Sequence, residues 1–326
     1  MAENSNATQV RRKLAVKPFS KGDKLFSRVT TAAANFAFVL VALILFFLFA
    51  QSWPALQSQG PAFLYGNLWD NTPGVDTYQL GPMIWGSLLI ALLGVLTATP
   101  ISVATAYLIA FMLPNRLSKV ATTLVDLLAA LPSVIIGLWG VYVFTPVAQE
   151  WAMLLNKYLG WFPLFSVDNI DQGFTSSPFI AGWIVAVMII PIITSVTREI
   201  FSQLDRELIN GALALGASRY TVLRRVIIPT SSSGIIGGVL LGLGRAIGET
   251  VAIFYVLQLS MDINLFKVLQ PQGGAVASWI LSRFAEATET EFHALMAAGL
   301  VIFIVTLIIN MIAGAIVNRS QPWRKA

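Results

Sequence analysis

Two charged side chains stand where an apolar helix would exclude them. Arg245 and Glu249 lie in Gly234–Val256, GIIGGVLLGLGRAIGETVAIFYV, a run long and apolar enough to cross a bilayer. A charge at membrane depth is costly and faces a bundle interior or a water-filled path. Placed on a continuous helix at 100° per residue, Arg245 and Glu249 share one half with Gly234, Gly237, Gly238, Gly242, Gly244 and Gly248. The chemistry such a face offers is reversible binding of an anion in transit. Glu249, four residues on, is expected to neutralise Arg245 in an empty pathway, with the anion competing for the guanidinium. A purely structural ion pair holding two helices in register fits the same two residues. The glycines are expected to let a helix of a second subunit approach.

The elements that must position this face follow from composition. Of 326 residues, 56% are hydrophobic and only 11% charged, with a mean hydropathy of +0.74. Soluble domains carry roughly 25% charged residues, so this is an all-α polytopic membrane protein. There is no Cys and one His, His293, which excludes disulfides, thiolate chemistry and Cys- or His-rich metal sites. A pI near 9.6 suggests nucleic acid at first sight, but the bases sit in short segments between apolar spans, so no nucleic-acid partner is expected.

Six spans are expected, at about 29–50, 83–113, 120–147, 179–196, 231–257 and 292–317. With the N-terminus inside, residues 1–28, 114–119, 197–230 and 318–326 are cytoplasmic and hold 17 of the 21 Lys and Arg. That asymmetry predicts both termini in the cytoplasm. The domain plan is then a basic tail 1–28, a first helix with its outer loop over 29–82, a five-helix core over 83–317 and a short cytoplasmic C-terminus, 318–326. The tail is not expected to be a cleaved signal, because its apolar stretch is too long for an h-region. Its bases suit orientation and attraction to anionic membrane lipid.

Several loop residues have two readings. Trp53, Trp69 and Trp85 suit the headgroup level, where indole is enriched. Trp151, Leu154, Leu155, Tyr158 and Trp161 form one helical stripe that suits an interface, although burial under other loops fits as well. Pro100, Pro132 and Pro191 mark hinges or static bends. Asp126, inside the third span, is expected to reach the interface or pair with a base.

The segment Arg198–Pro229, REIFSQLDRELINGALALGASRYTVLRRVIIP, is the longest inner loop between spans. It reads as two short helices broken near Gly216-Ala217-Ser218, with Pro229 stopping the second before the fifth span. Small residues leave a surface that another protein can approach, and a loop lying on anionic headgroups also fits. The spacing resembles the cytoplasmic EAA loop of ABC importer permeases: Glu-Ala-Ala, three residues, Gly, nine residues, Ile-x-Leu-Pro. Here Asn210-Gly211-Ala212 is followed by Leu213, Gly216 and then Val226-Ile227-Ile228-Pro229. Asn210-Gly211 replaces the leading Glu-Ala, and Glu207 lies one turn earlier.

Beyond the loop, RAIGETVA in the glycine-rich span, LLAALPSVIIGLWGVYVF and PIITSVTREIF are similar to the C-type permeases of the Pst phosphate importers. The resemblance covers about residues 30–315. It implies a type I ABC importer permease (MetI-like) fold and a role as half of a phosphate path. It also implies coupling through Asn210, Gly211, Ala212, Leu213, Gly216 and Pro229, with substrate contact at Arg245 and Glu249. An arginine fork suits phosphate oxygens better than a lysine point charge. No Gly-rich loop ends in Gly-Lys-Ser/Thr, so no cofactor is expected in this chain, with ATP and Mg bound by a separate ATPase. The implied partners are inorganic phosphate, an A-type permease subunit as heterodimer mate, two copies of the ATPase and an extracytoplasmic phosphate-binding protein. A permease for sulfate or molybdate is the nearer alternative. An ion-gradient transporter and a non-transporting scaffold or sensor are more distant ones.

Overall fold

The computed structural model describes residues 21–72, 74–168, 174–262 and 264–319. The first 20 residues of the expected basic tail and residues 320–326 lie outside the described residues. The chain divides into two units, Met1–Phe47 and Leu48–Ala326. In the first unit, the described residues form a single helix, the beginning of α1 (Lys21–Gln59), which starts eight residues before the expected span. Its Phe36, Phe38 and Phe46 are exposed, as membrane-facing side chains are.

Among the described residues the second unit is mostly helical, with one hairpin, β1 (Trp69–Asp70) paired antiparallel with β2 (Thr77–Tyr78). A short α2 (Ala62–Tyr65) precedes the hairpin. Five helices are long and apolar enough to cross a membrane: α1, α3 (Gly81–Tyr107, continued by a π turn to Met112), α7 (Pro178–Ser202), the run Arg219–Ile247 and α13 (Glu289–Arg319). A bent pair, Asn115–Ala129 (α4) with Ser133–Leu159, meets at 93° and is long and apolar enough when taken together, which makes six if the pair is one span. The expected third span, 120–147, is therefore not one rod. Pro132, extended at ψ 136°, ends α4 and opens α5 (Ser133–Trp139), and a π turn then leads into α6 (Thr145–Leu159).

The middle of the core is the packing of α7 against α3 and α10 (Ile228–Ile247). Small residues allow it. A Cβ on Gly182 would lie 2.8 Å from Leu93 Cβ, and one on Gly94 would lie 3.1 Å from Val185 Cγ1, so α3 and α7 approach closer than larger residues permit. Ile90, Ile180, Ile184, Ile189, Ile193 and Ile247 fill the space between them. Ser102 Oγ ties the pair by donating to Ile190 O at 3.2 Å. Pro100 and Pro191 both lie inside helices that continue through them.

Three π turns, Leu108–Met112, Gly140–Phe144 and Leu223–Ile227, are each followed two residues later by a proline: Pro114, Pro146 and Pro229. Proline lacks an N–H, and its ring collides with the carbonyl four residues back in a regular α-helix. A π turn moves the donor one residue further, as when Ile228 N reaches Leu223 O, and relieves that collision. Pro229 thus does not stop the helix before the fifth span. The chain runs helically from Arg219 to Ile247.

Candidate functional site

α10 presents two distinct faces. Ser231, Ile235, Gly238, Gly242 and Ala246 are buried. A Cβ on Gly234, Gly238 or Gly242 would lie 2.5 Å from Ile200, 3.2 Å from Val196 or 2.9 Å from Ile193, all on α7. These three glycines therefore serve packing inside this chain, and only the neighbouring stripe remains available to a second subunit. That stripe is Gly237, Leu241, Arg245 and Gly248: nothing lies within 4 Å of a Cβ on Gly237, and Leu241 is 61% exposed. Arg245 is exposed on it, in the last turn of α10, with no hydrogen bond or ion pair among the described residues. The negative end of the helix dipole favours a cation there.

Glu249 is not Arg245's partner. α10 ends at Ile247, Gly248 caps it, and a separate α11 (Val251–Val256) begins after the break. The continuous helix behind the i, i+4 pairing does not exist here. Gly244 and Gly248 supply little helix propensity, and at the break the backbone turns. Glu249 is 7% exposed, and its Oε1 accepts from Ala252 N at 3.3 Å, at the start of α11. Among the described residues the one ion pair is Lys267–Asp168, far from this point in sequence.

The break is fastened from the other side. Ser278 Oγ, on α12 (Val276–Arg283), donates to Thr250 O at 2.8 Å. α12 is itself located by Val276 N, which donates to Ser87 Oγ on α3 at 2.9 Å. A cavity of about 330 Å³ lined by Thr250, Ala277, Ile280, Leu281 and Phe284 opens beside it. Ser278 and Ser87 were not legible as functional positions: isolated serines in apolar segments carry no spacing signal.

The segment feeding α10 is built as two short helices, α8 (Arg206–Ala214) and α9 (Arg219–Val222), broken where expected. Asp205 caps α8 by accepting from Glu207 N at 2.9 Å. At its end Gly216 has φ +84°, Gly216 N donates to Leu213 O, and Ala217 N donates to Ala212 O, a Schellman motif. That geometry is the reason glycine stands at this position. Ile209, Ala212 and Ala217 pack inward on Phe201, Val222 and Ile227. Asn210, Gly211, Leu213 and Pro229 are exposed, and Leu215 is 91% exposed. The small residues and two leucines thus form an open surface on α8.

Trp69 and Trp85, expected at the headgroup level, also take part in tertiary structure. Trp69 packs edge-on to Tyr78 and Trp279, and its Nε1 donates to Glu291 Oε1 at 2.8 Å. Glu291, 1% exposed in the first turn of α13, also accepts from Asn71 Nδ2 at 3.3 Å. Trp85 Nε1 donates to Leu265 O. Trp53 is exposed, as are Trp151, Leu154, Tyr158 and Trp161 of the α6 stripe, whereas Leu155 packs into a core with Ala152 and Leu269. Asp126 accepts from Ser195 Oγ at 3.0 Å, so its partner is a hydroxyl and not a base.

Residues 98–325 match the family described as binding-protein-dependent transport system inner membrane component. The phosphate transport system permease protein PstC of Xylella fastidiosa is 36% identical over 300 residues, 90% of each chain. PstC 2 of Mycobacterium tuberculosis is 34% identical over 306 residues, covering 92% of this chain and 93% of the relative. PstC of Haemophilus influenzae is 35% identical over 302 residues, with 92% and 94% covered. Among solved structures, a chain of the MetNI methionine ABC transporter superposes with a TM-score of 0.53 at 13% identity, covering 73% of this chain and 94% of that one. That likeness speaks to the fold alone, and it is the MetI-like fold.

Proposed function

Because this chain belongs to the family of binding-protein-dependent transport system inner membrane components, we propose that it is the permease subunit of an ATP-driven inorganic phosphate importer. It forms half of the translocation path, lies in the plasma membrane and performs no chemistry of its own. Both termini face the cytoplasm, following the distribution of Lys and Arg, which puts α8 on the cytoplasmic side and the hairpin outside. The observation that carries the reading is the unbroken helical run Arg219–Ile247. It begins just after the Gly216 turn that follows the exposed small-residue surface of α8 and ends on the stripe bearing Arg245.

In mechanism, α8 docks on a separate ATPase, and movement there is passed along a helix that has no flexible joint before Arg245. Arg245 offers phosphate a forked set of donors in a low-dielectric passage. Having no partner among the described residues, its guanidinium is available without first breaking an ion pair. Glu249 holds the break by engaging the start of α11, so Arg245 stands at the end of one rigid element. The facing half of the path comes from an A-type permease, and capture outside from a phosphate-binding protein.

The test is uptake of labelled phosphate into proteoliposomes holding this chain, the second permease and two copies of the ATPase, with binding protein supplied. Uptake should require ATP and resist competition by sulfate and molybdate. Uptake driven by an ion gradient without ATP, or competed by sulfate, defeats the reading.

A further inference from the structure

Two further arginines line a cavity beside the start of α8, away from Arg245. A partly open cavity of about 210 Å³ is lined by the π turn after α3 (Ile109, Phe111), the start of α4 (Asn115), the end of α7 (Arg198, Phe201) and the start of α8 (Arg206). Arg198 and Arg206 come from different helices, and neither has a hydrogen bond or ion pair among the described residues. Two neighbouring carboxylates are turned to other work. Glu199 accepts from Gln203 Nε2 at 3.1 Å, and Asp205 caps α8. Ser118 and Ser202, also at the cavity, donate to the carbonyls of Ile109 and Glu199. The donors left without a partner are the two guanidiniums and the Asn115 amide.

We propose that this cavity binds a phosphate group, held between Arg198 and Arg206. Two guanidiniums lining one cavity repel each other, and a tetrahedral oxyanion held there relieves that repulsion while accepting from both forks. The space admits a phosphate group with several waters. The tilted rings of Phe111 and Phe201, centroids 5.8 Å apart, line one side of it. A phosphate bound there fastens Arg206, the first residue of α8, to Arg198 on α7, the helix against which α10 packs. The site therefore bears on how firmly α8 is joined to the core. Its placement in the cytoplasm rests on the orientation proposed above. The phosphate group can come from free inorganic phosphate, the released product, or from the headgroup of an anionic lipid.

The test uses the full chain in an uncharged detergent, titrated with inorganic phosphate and, separately, with short-chain phosphatidylglycerol or phosphatidylcholine, read by native mass spectrometry and thermal unfolding. One of the two anionic ligands should bind, phosphatidylcholine should not, and Arg198→Gln with Arg206→Gln should weaken binding roughly tenfold or more. Phosphate binding identifies the product as the source, and phosphatidylglycerol binding identifies lipid. Arg206→Gln alone, at an exposed position, decides the matter if the double variant fails to fold. Arg245→Gln separates the two sites: retained binding supports this cavity, whereas loss in Arg245→Gln with none in Arg206→Gln overturns it and leaves the path reading intact. Wild-type protein that binds neither anionic ligand also overturns it.

Discussion

Replacing Gly86 with alanine should loosen the whole frame that fixes the helix break. Gly86 is buried in α3, and a Cβ there would stand 2.1 Å from the carbonyl oxygen of Gly274, a backbone atom that no rotamer change can move. Restoring an ordinary contact of 3.4 Å needs a displacement of about 1.3 Å between α3 and the loop entering α12. That loop carries the Val276 N to Ser87 Oγ bond, and α12 carries the Ser278 bond to Thr250 at the break. Overpacking of this kind costs about 1–3 kcal/mol, while alanine in place of a helical glycine returns about 0.5–1 kcal/mol. Because the obstruction is backbone, the net loss should fall near the upper part of that balance, about 2 kcal/mol. Gly237→Ala is the internal reference: it meets nothing within 4 Å and should gain about 0.5–1 kcal/mol. Equilibrium unfolding of both variants in mixed detergent micelles measures the difference. A Gly86→Ala protein as stable as Gly237→Ala refutes the close-approach argument.

Three further outcomes follow from particular contacts. Glu291→Leu should cost about 1–3 kcal/mol by stranding Trp69 Nε1 and Asn71 Nδ2, with Glu291→Gln milder because an acceptor remains; equal stability of the two in thermal unfolding contradicts this. Leu215→Glu, at a fully solvated position, should change the chain's own stability by less than about 0.5 kcal/mol yet lower co-purification of the ATPase; undiminished co-purification removes Leu215 from the docking surface. Asp70 has its pKa lowered by the hydroxyl and then the N–H of Thr72. Any stabilisation it gives is present above the ordinary carboxylate range and is lost as pH falls through the lowered folded value. Carboxyl NMR should place its midpoint below that of an ordinary aspartate, and Thr72→Ala should raise it; an unmoved midpoint denies the cause.

The spans, the broken EAA-type segment and the glycine at its turn were legible because each rests on a local signal: apolar length, a small-residue run, an obligatory positive φ. The Gly248 break was not. A helical wheel presumes the helix it is drawn on, so Arg245 and Glu249 looked like neighbours when the backbone turns between them. The same wheel merged two glycine faces. Gly238 and Gly242 differ from Gly237 only in what stands opposite, and that is a fact about α7. The tertiary contacts of Trp69 were not legible for a related reason. Indole suits a lipid headgroup and a buried carboxylate equally, and Glu291 lies more than 200 residues away in sequence. Pro229 ends a helix by ordinary expectation, yet a π turn just before it lets the helix continue.

The most direct test of the account is ATP-dependent phosphate uptake by reconstituted transporter carrying Arg245→Ala, with Arg245→Lys beside it. Loss of the charge-assisted contacts, about 1.5–3 kcal/mol, should lower uptake about ten- to a hundredfold in the alanine variant, and the lysine variant should fall between. Helix content and co-purification of the ATPase should be unchanged, since Arg245 has no partner among the described residues to lose. Uptake at the wild-type rate in Arg245→Ala would contradict the account, because no other charge stands on the open face of α10.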